Sequence, residues 1–421
     1  MFLFFLASSS LKSICQEKDK FYSFRKEFVT VYKELKLAPL ELSYVKNLHS
    51  ISSYQELLRQ EKVFKGFFKR LKKIDNFYFS ELDKLDYDVL SYEIELNIER
   101  IAVEKKWKQR NEKVLGSGLY NEKYNKEWYA YFLKKWIDIK ASPEEIYHFG
   151  LSEIKKVKKE IHDLKKKKGE EILTPLGNEK SSIFLLKDPK EVQNRYELIR
   201  ETVNKRSKKY FPFTNKIPPL TIKRGINKSY AIVPAYYSNN SFYYNFFEEE
   251  YDSRKIGWMY IHEGIPGHHY QTNLRNILPR SEVLSLFTYY SFIEGWGAYV
   301  EQFGQQLGAY NSLADKQTQL EWDLIRSVRV ALDVGINFYG WSDARALQFW
   351  KKHIPHKEDI GKREIKRITR WPVQVITYKY GKKVLDSLKG KLSTSEELKA
   401  FHEKVLQNGD VPFSVLKNKF N

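Results

Sequence analysis

Pro266 stands four residues after His262, where a helix would carry its next residue on the same face, and Gly267 follows it. A proline inside a helix removes a backbone hydrogen bond and crowds the carbonyl four residues back. Any helix running through this stretch must therefore bend, bulge or break between Ile265 and Gly267. Around that point the chain places His262, Glu263, His268 and His269, three of its nine histidines and a carboxylate within eight residues. Neutral imidazole is a common zinc ligand, and a glutamate directly after a ligating histidine is well placed as a general base toward water on the metal. In the standard zinc-peptidase helix the two histidines lie at i and i+4, and here i+4 is the proline. Two arrangements stay open. On an undistorted helix i+7 returns to the starting face, at about −20°, while i+6 lies about 240° round, which selects His269. If Ile265 and Pro266 are a two-residue insertion, His268 takes the ordinary place instead, and this second reading is the one we favour.

A catalytic zinc takes three protein ligands and keeps a fourth position open. Glu294, in Ser291-Phe292-Ile293-Glu294-Gly295-Trp296-Gly297-Ala298-Tyr299, lies 32 residues after His262 in a second helical pattern. It is the candidate third ligand of a single Zn2+. The Glu294-Gly295 pair resembles the segment in which one-zinc aminopeptidases carry their third ligand. The small residues at 295, 297 and 298 permit a close approach to the metal helix. Glu301, two turns on and on the same face, could orient a ligand, but a surface carboxylate is the reading we favour for it.

Composition bounds the alternatives. Hydrophobic residues make up 42% of 421 and aromatics 15%, which excludes a disordered chain. The formal charge of +20, from 73 Lys plus Arg against 53 Asp plus Glu, is largely Lys interleaved with Glu, the pattern of solvated helix faces. Lys165 to Lys168 are a compact basic run without any nucleic-acid-binding signature, so no nucleic-acid partner is expected. The lone Cys15 excludes an internal disulfide and a cysteine zinc knuckle. Met1 to Ala7 (MFLFFLA) read as the apolar part of a truncated export signal without its basic start. Export, periplasmic or as a membrane-associated lipoprotein, is the expected location. No later apolar run approaches the ~20 residues of a transmembrane span.

The periodicity predicts a mainly α chain. Leu82, Leu85, Leu90, Ile94, Leu96, Ile98 and Ile101 recur at mostly helical intervals, with one face on a core. Ser142-Pro143-Glu144-Glu145 opens a helix with a capping box, and Ile146, Phe149, Ile154, Val157, Ile161 and Leu164 continue it to about Lys168, before Gly169. From Leu173 to Asn245 prolines cluster, Pro175 among them, and short β-type runs appear at Leu220–Lys223, Tyr230–Val233 and Phe242–Tyr244. Ser238 to Ser241 form a turn between the last two. The expected organisation is an N-terminal segment 1–14 and one domain 15–421. Within the domain, residues 15–170 are helices, 171–250 a small β region, and 251–421 the helices of the site.

On these residues the chain resembles a known family. Gly257-Trp258-Met259-Tyr260, His262-Glu263, Pro266-Gly267-His268-His269-Tyr270-Gln271, Glu294-Gly295-Trp296, Arg326 and Arg329 with Asp333 and Gly335, Gly340-Trp341, and Arg367 with Trp371-Pro372, Gln374, Tyr378 and Gly381 resemble the bacterial family called domain of unknown function 885. That resemblance spans about residues 75 to 390. It implies a helical, zincin-like fold akin to the gluzincin zinc metallopeptidases, with a small sheet or ribbon before the metal-binding helix, and a peptide substrate. Carried over by position, it implies His262, His268 or His269, and Glu294 as metal ligands and Glu263 as general base and then acid. Tyr378 is implied as donor to the oxyanion, and Arg326, Arg329, Arg367 and Arg370 as guanidiniums able to bind a peptide carboxylate. Asn337 stands where the family pattern leads us to expect histidine; an amide there can hydrogen-bond substrate and share with Tyr378 the catalytic role of stabilising the oxyanion, but carries no charge. Tyr244 and Asn245, in the strand candidate just before the metal helix, are expected to receive an extended substrate at a sheet edge. The resulting expectation is zinc-dependent peptide hydrolysis, with a catalytically silent binding protein of the same scaffold as the alternative.

Overall fold

A computed structural model describes residues 2–166, 184–228 and 233–420 of the chain, with side chains from residue 16 onward. The protein is mainly α. Its first part runs through α1 (Phe2–Glu34), α2 (Tyr44–His49), α3 (Tyr54–Leu71), α4 (Glu81–Gln109), α5 (Asn125–Trp136) and α6 (Pro143–Lys166). Local chemistry starts several of them: Ser53 and Ser80 accept the backbone N–H of Glu56 and Asp83, satisfying donors that the first turn of a helix leaves over. In α4 the burial departs from the single stripe expected. Leu85, Val89 and Leu96 are buried on one side and Leu90, Ile94 and Ile101 on the other, while Leu82 stays 58% exposed. The cause is packing on several sides, since α4 lies against both α3 and α5.

Helix α6 starts where the sequence puts it, with the Ser142 half of the expected capping box present among the described residues. Ser142 accepts the Glu145 N–H at 3.4 Å, Pro143 takes the first position, and Ile146, Phe149, Ile154, Val157 and Ile161 are buried. The expected end at Lys168 and Gly169, and Pro175, lie outside the described residues.

The next stretch contains the small sheet expected of it and also a long helix that the expected β region did not include. After β1 (Leu185–Leu186) comes α7 (Pro189–Tyr210), capped by Asp188, whose side chain accepts the Lys190 N–H. Strands β2 (Thr221–Gly225), β3 (Ala235–Ser238) and β4 (Ser241–Asn245) then form a three-stranded sheet in the order β2-β4-β3, and β5 (Tyr251–Asp252) pairs with β1. The strand preceding the turn is β3, and most of the expected Tyr230–Val233 run lies outside the described residues. The turn itself is where the sequence put it. Asn239 and Asn240 have φ of 47° and 56°, a left-handed pair that asparagine tolerates and that matches the twist of a two-residue hairpin. Strand β4 is parallel to β2 and antiparallel to β3. It is therefore the central strand, with both edges consumed, and offers no free edge to a substrate.

The remaining helices build the core: α8 (Ile256–Glu263), α9 (His268–Ile277), α10 (Glu282–Ser285), α11 (Tyr290–Val300), α12 (Gly304–Leu307), α13 (Leu313–Asn337), α14 (Asp343–His353), α15 (Glu358–Arg370), α16 (Ile376–Lys389), α17 (Ser395–Leu406) and α18 (Phe413–Asn418). Helix α13 opens with a capping box between Ser312 and Asp315 and is buried without a break from Asp323 to Asn337. Against it pack α6, α15 and α16. Helices α11 and α16 meet at two glycines, where a Cβ on Gly295 would lie 2.5 Å from the Cα of Gly381. Lys379, 2% exposed, is held between Asp323 at 2.8 Å and Glu153 at 3.0 Å, tying α16 to α13 and α6. A single cluster of buried apolar residues extends from Phe21 to Leu416. Among the described residues no helix is long and apolar enough to cross a membrane.

Candidate metal centre

The helix carrying His262 breaks. Helix α8 ends at Glu263, residues 264–267 make a turn, and α9 starts at His268 with Gly267 as its cap; the Ile265–Pro266 peptide bond is cis. Gly267 is required by proximity, since a Cβ there would lie 1.9 Å from the His262 carbonyl oxygen. Trp296 on α11 donates its indole N–H to the Pro266 carbonyl at 2.8 Å, fixing the turn from the side. This break settles which imidazole faces His262. The two rings of His262 and His268 stand 4.7 Å apart at 82°. His269 faces elsewhere: its Nε2 meets the Pro218 carbonyl at 2.9 Å and its Nδ1 the Tyr237 hydroxyl at 3.2 Å. The straight-helix selection of His269 is thereby corrected, because the chain between the two histidines is not helical. His269 instead joins α9 to the segment before β2 and to β3, and burial lowers its pKa.

His262, His268 and Glu294 each offer a ligand atom, and all three atoms lie within 4.8 Å of one another. Glu294 Oε2 is 3.4 Å from His268 Nε2 and 4.0 Å from His262 Nε2. Ligands about 2.1 Å from one ion at tetrahedral angles sit roughly 3.4 Å apart, so the donor set and its spacing fit a zinc-sized cation with modest contraction. The same proximity shows in the electrostatics. Burial disfavours the charged form of His268, but the hydrogen bond and charge of Glu294 outweigh it and raise the pKa. For Glu294 burial pushes upward and His268 pulls further downward, leaving it lowered. Glu263 is half-buried and has no ion-pair partner among the described residues.

Behind His262 stands Glu301. It is fully buried, accepts from His262 Nδ1 at 2.8 Å through one oxygen and from Arg326 at 2.7 Å through the other. The expectation of a surface carboxylate is thus corrected, because the residue is enclosed between His262 and Arg326. A buried acceptor on Nδ1 places the ring proton there and leaves Nε2 as the ligand atom. Burial opposes the Glu301 charge, but Arg326 and His262 overcome it and lower its pKa. Gly297 makes room for the ring: a Cβ at that position would lie 2.7 Å from His262 Cε1. Of the small residues on α11, Gly297 therefore serves the approach to the metal helix, whereas Gly295 serves the approach to α16.

The other expected site residues divide. Tyr378 on α16 stacks on His262 with ring centroids 6.2 Å apart, and the Arg326 guanidinium lies 5.6 Å from its ring. Gln374 Nε2 approaches its hydroxyl at 3.5 Å, and burial, then Glu294, raise the phenol's pKa. Arg367 donates to Gln374 Oε1 at 2.7 Å, and Arg329 is paired with Glu364. Arg326 is committed to Glu301, and Arg370 is exposed beside Trp371. Asn337 is 1% exposed and donates to the Ile368 carbonyl at 3.2 Å and to Asp333 at 3.4 Å. Its place is thus in the interior packing of α13 and not toward a substrate. Tyr244, 1% exposed, donates to the Pro189 carbonyl, and Asn245 donates to the Val233 carbonyl at 2.8 Å. Both sit on the central strand, so the extended substrate expected there finds no free sheet edge to pair with. Sequence reading passed over Asp333 as a structural centre. It is fully buried, accepts the Tyr129 hydroxyl at 2.9 Å and the Val373 N–H at 2.8 Å, and holds Val373 in a left-handed conformation with φ of 73°. That turn leads directly into Gln374 and Tyr378.

Two solved structures, each of a protein called a "putative lipoprotein", share this architecture. The one from Colwellia psychrerythraea superposes with a TM-score of 0.63 at 21% identity, covering 89% of this chain and 71% of its own. The one from Shewanella oneidensis, of unknown function, does so at 0.53 and 19% identity, covering 87% and 73%. No curated protein matches the chain. The family model described as "Bacterial protein of unknown function (DUF885)" matches residues 103–420, which contain every residue of the centre, and the chain belongs to that family.

Proposed function

We propose that the protein is a zinc-dependent peptide hydrolase with a zincin-like, gluzincin-related site. One juxtaposition supports this reading: two imidazoles and a carboxylate converge within 4.8 Å, and a half-buried glutamate follows the first of them directly. His262, His268 and Glu294 would hold the ion, which supplies a Lewis acid for a peptide carbonyl and brings water's pKa toward ~7. Glu263 takes the proton of the attacking water and returns it to the leaving amine. Tyr378, its pKa raised by burial, stays protonated and donates to the oxyanion. Glu301 and Arg326 keep His262 in the tautomer that presents Nε2. With Asn337 in the interior, its departure from the expected histidine bears on packing.

The test combines metal analysis with digestion of a peptide library. Stoichiometric zinc and cleavage are expected for the native chain. Glu263→Gln should keep the metal while slowing cleavage by about 10²- to 10⁴-fold. Zinc bound by a native chain that cleaves no peptide would replace this reading with the silent binding protein. We further propose that the protein is exported, supported by the lipoprotein description of the two similar structures and by the apolar run Phe2 to Leu6. Fractionation of the native host, with N-terminal sequencing of the mature chain, tests it.

A further inference from the structure

The charges beside Tyr378 do not balance. Burial and then Glu294 raise the pKa of its phenol, against which Arg367 and Arg329 pull downward; Arg367 is linked to the phenol through Gln374. Arg329, 7% exposed, is paired with Glu364, while Arg367, half-buried, has only the neutral amide of Gln374 as partner and forms no ion pair among the described residues. The two guanidiniums also repel each other, since Arg367 lowers the pKa of Arg329, though less than burial does. Of the carboxylates nearby, Glu301 is held by Arg326 and His262 and Glu294 by His268, while Glu364 gives Oε1 to Arg329 and its Oε2 has no hydrogen-bond partner among the described residues. The Nε atoms of Arg329 and Arg367 are buried without a hydrogen-bond partner among the described residues. A half-buried guanidinium that lacks an anion, next to a like charge, favours a carboxylate, which guanidinium binds through parallel hydrogen bonds.

The position narrows what that carboxylate is. Arg367 reaches the centre through an unbroken set of contacts: its guanidinium bonds Gln374, Gln374 approaches the Tyr378 hydroxyl, and Tyr378 stacks on His262. An anion seated on Arg367 thus lies on the Tyr378 side of the metal ligands, beside the expected oxyanion donor. Resting on the hydrolase reading above, we propose that Arg367, with Arg329 behind it, binds the free α-carboxylate of a peptide's C-terminus, so that the protein removes residues from the C-terminal end of short peptides.

Paired peptides of one sequence, ending in a free acid or in an amide, test this on the native zinc-loaded protein by mass spectrometry. The acid is expected to be cleaved about 10- to 100-fold faster, near its C-terminus, the factor corresponding to one charge-assisted hydrogen-bond site. Binding of the same pair to Glu263→Gln by calorimetry should show a preference of similar size without any turnover. Arg367→Gln should bring both ratios toward one, through KM more than kcat, and Arg367→Lys should retain part of the preference. Equal cleavage or equal binding of acid and amide overturns the C-terminal proposal while leaving hydrolysis intact. Absence of cleavage of either peptide overturns the hydrolase reading on which it rests.

Discussion

Glu301 shows how far a single residue's meaning depends on what surrounds it. On the sequence it is one acidic residue among 53 Asp and Glu; in the fold it is fully buried between His262 and Arg326. Glu301→Gln keeps an acceptor but loses the charge, so zinc affinity should fall about 10- to 100-fold, read by competition with a chromogenic chelator. Glu301→Ala leaves the Arg326 guanidinium buried without its anion, and should lower unfolding stability by about 3–5 kcal/mol in urea titrations. An Ala variant as stable as the native chain would show that water replaces the carboxylate. Of the residues that converge, His262 was legible from residue chemistry and spacing, and Glu294 from its place in a second helical pattern together with the resemblance of Glu294-Gly295 to a third-ligand segment. The choice between His268 and His269 was not, since it depends on where α8 stops, and adjacent residues differ by about 100° on a helix but arbitrarily across a break.

At the scale of elements, the contact between α11 and α16 carries the centre, because α11 brings Glu294 and α16 brings Tyr378. Gly295→Ala places a Cβ 2.5 Å from the Cα of Gly381, and backbone on backbone leaves nothing flexible to yield. We expect about 1–3 kcal/mol of destabilisation, the usual range for overpacking, together with weaker zinc binding. Gly297→Ala presses on the His262 ring instead, and should reduce zinc affinity more than it reduces stability. If both variants bound zinc as tightly as the native chain, the glycines would not be what sets the approach of these helices. The start of α6 and the Asn239-Asn240 turn could be read directly, since capping and left-handed turns are written in a few adjacent residues. Helix α7 carried the same kind of signal in Asp188-Pro189, obscured by the prolines that follow it. That β4 is central could not be read, because strand order is decided by partners far along the chain.

For the molecule as a whole, Asp333 sets a pH dependence of stability. Burial pushes its carboxyl up to about 7, against about 3.9 in an unfolded chain. Between pH ~4 and ~7 the unfolded chain has therefore released a proton that the folded chain retains, so this group's contribution to stability declines as pH rises through that window and levels off above it. Asparagine in its place can still accept from Val373 and donate to Tyr129. Asp333→Asn should then be more stable than the native chain above pH 7, by up to about 4 kcal/mol, with the gap closing toward pH 4. Paired urea unfolding from pH 5 to 8 measures it, and a gap independent of pH would rule out the linkage. Residue order alone makes the chain mainly helical, stops the helix at His262 before Pro266, and supplies a histidine pair and a carboxylate that a metal could use. These follow from local sterics and from side-chain chemistry. Which imidazole turns inward, which carboxylate backs it, which arginine is left without an anion and which strand loses its edges were decided only in the tertiary structure. Each of those outcomes is a balance of burial and pairing among residues that meet only when the chain is folded.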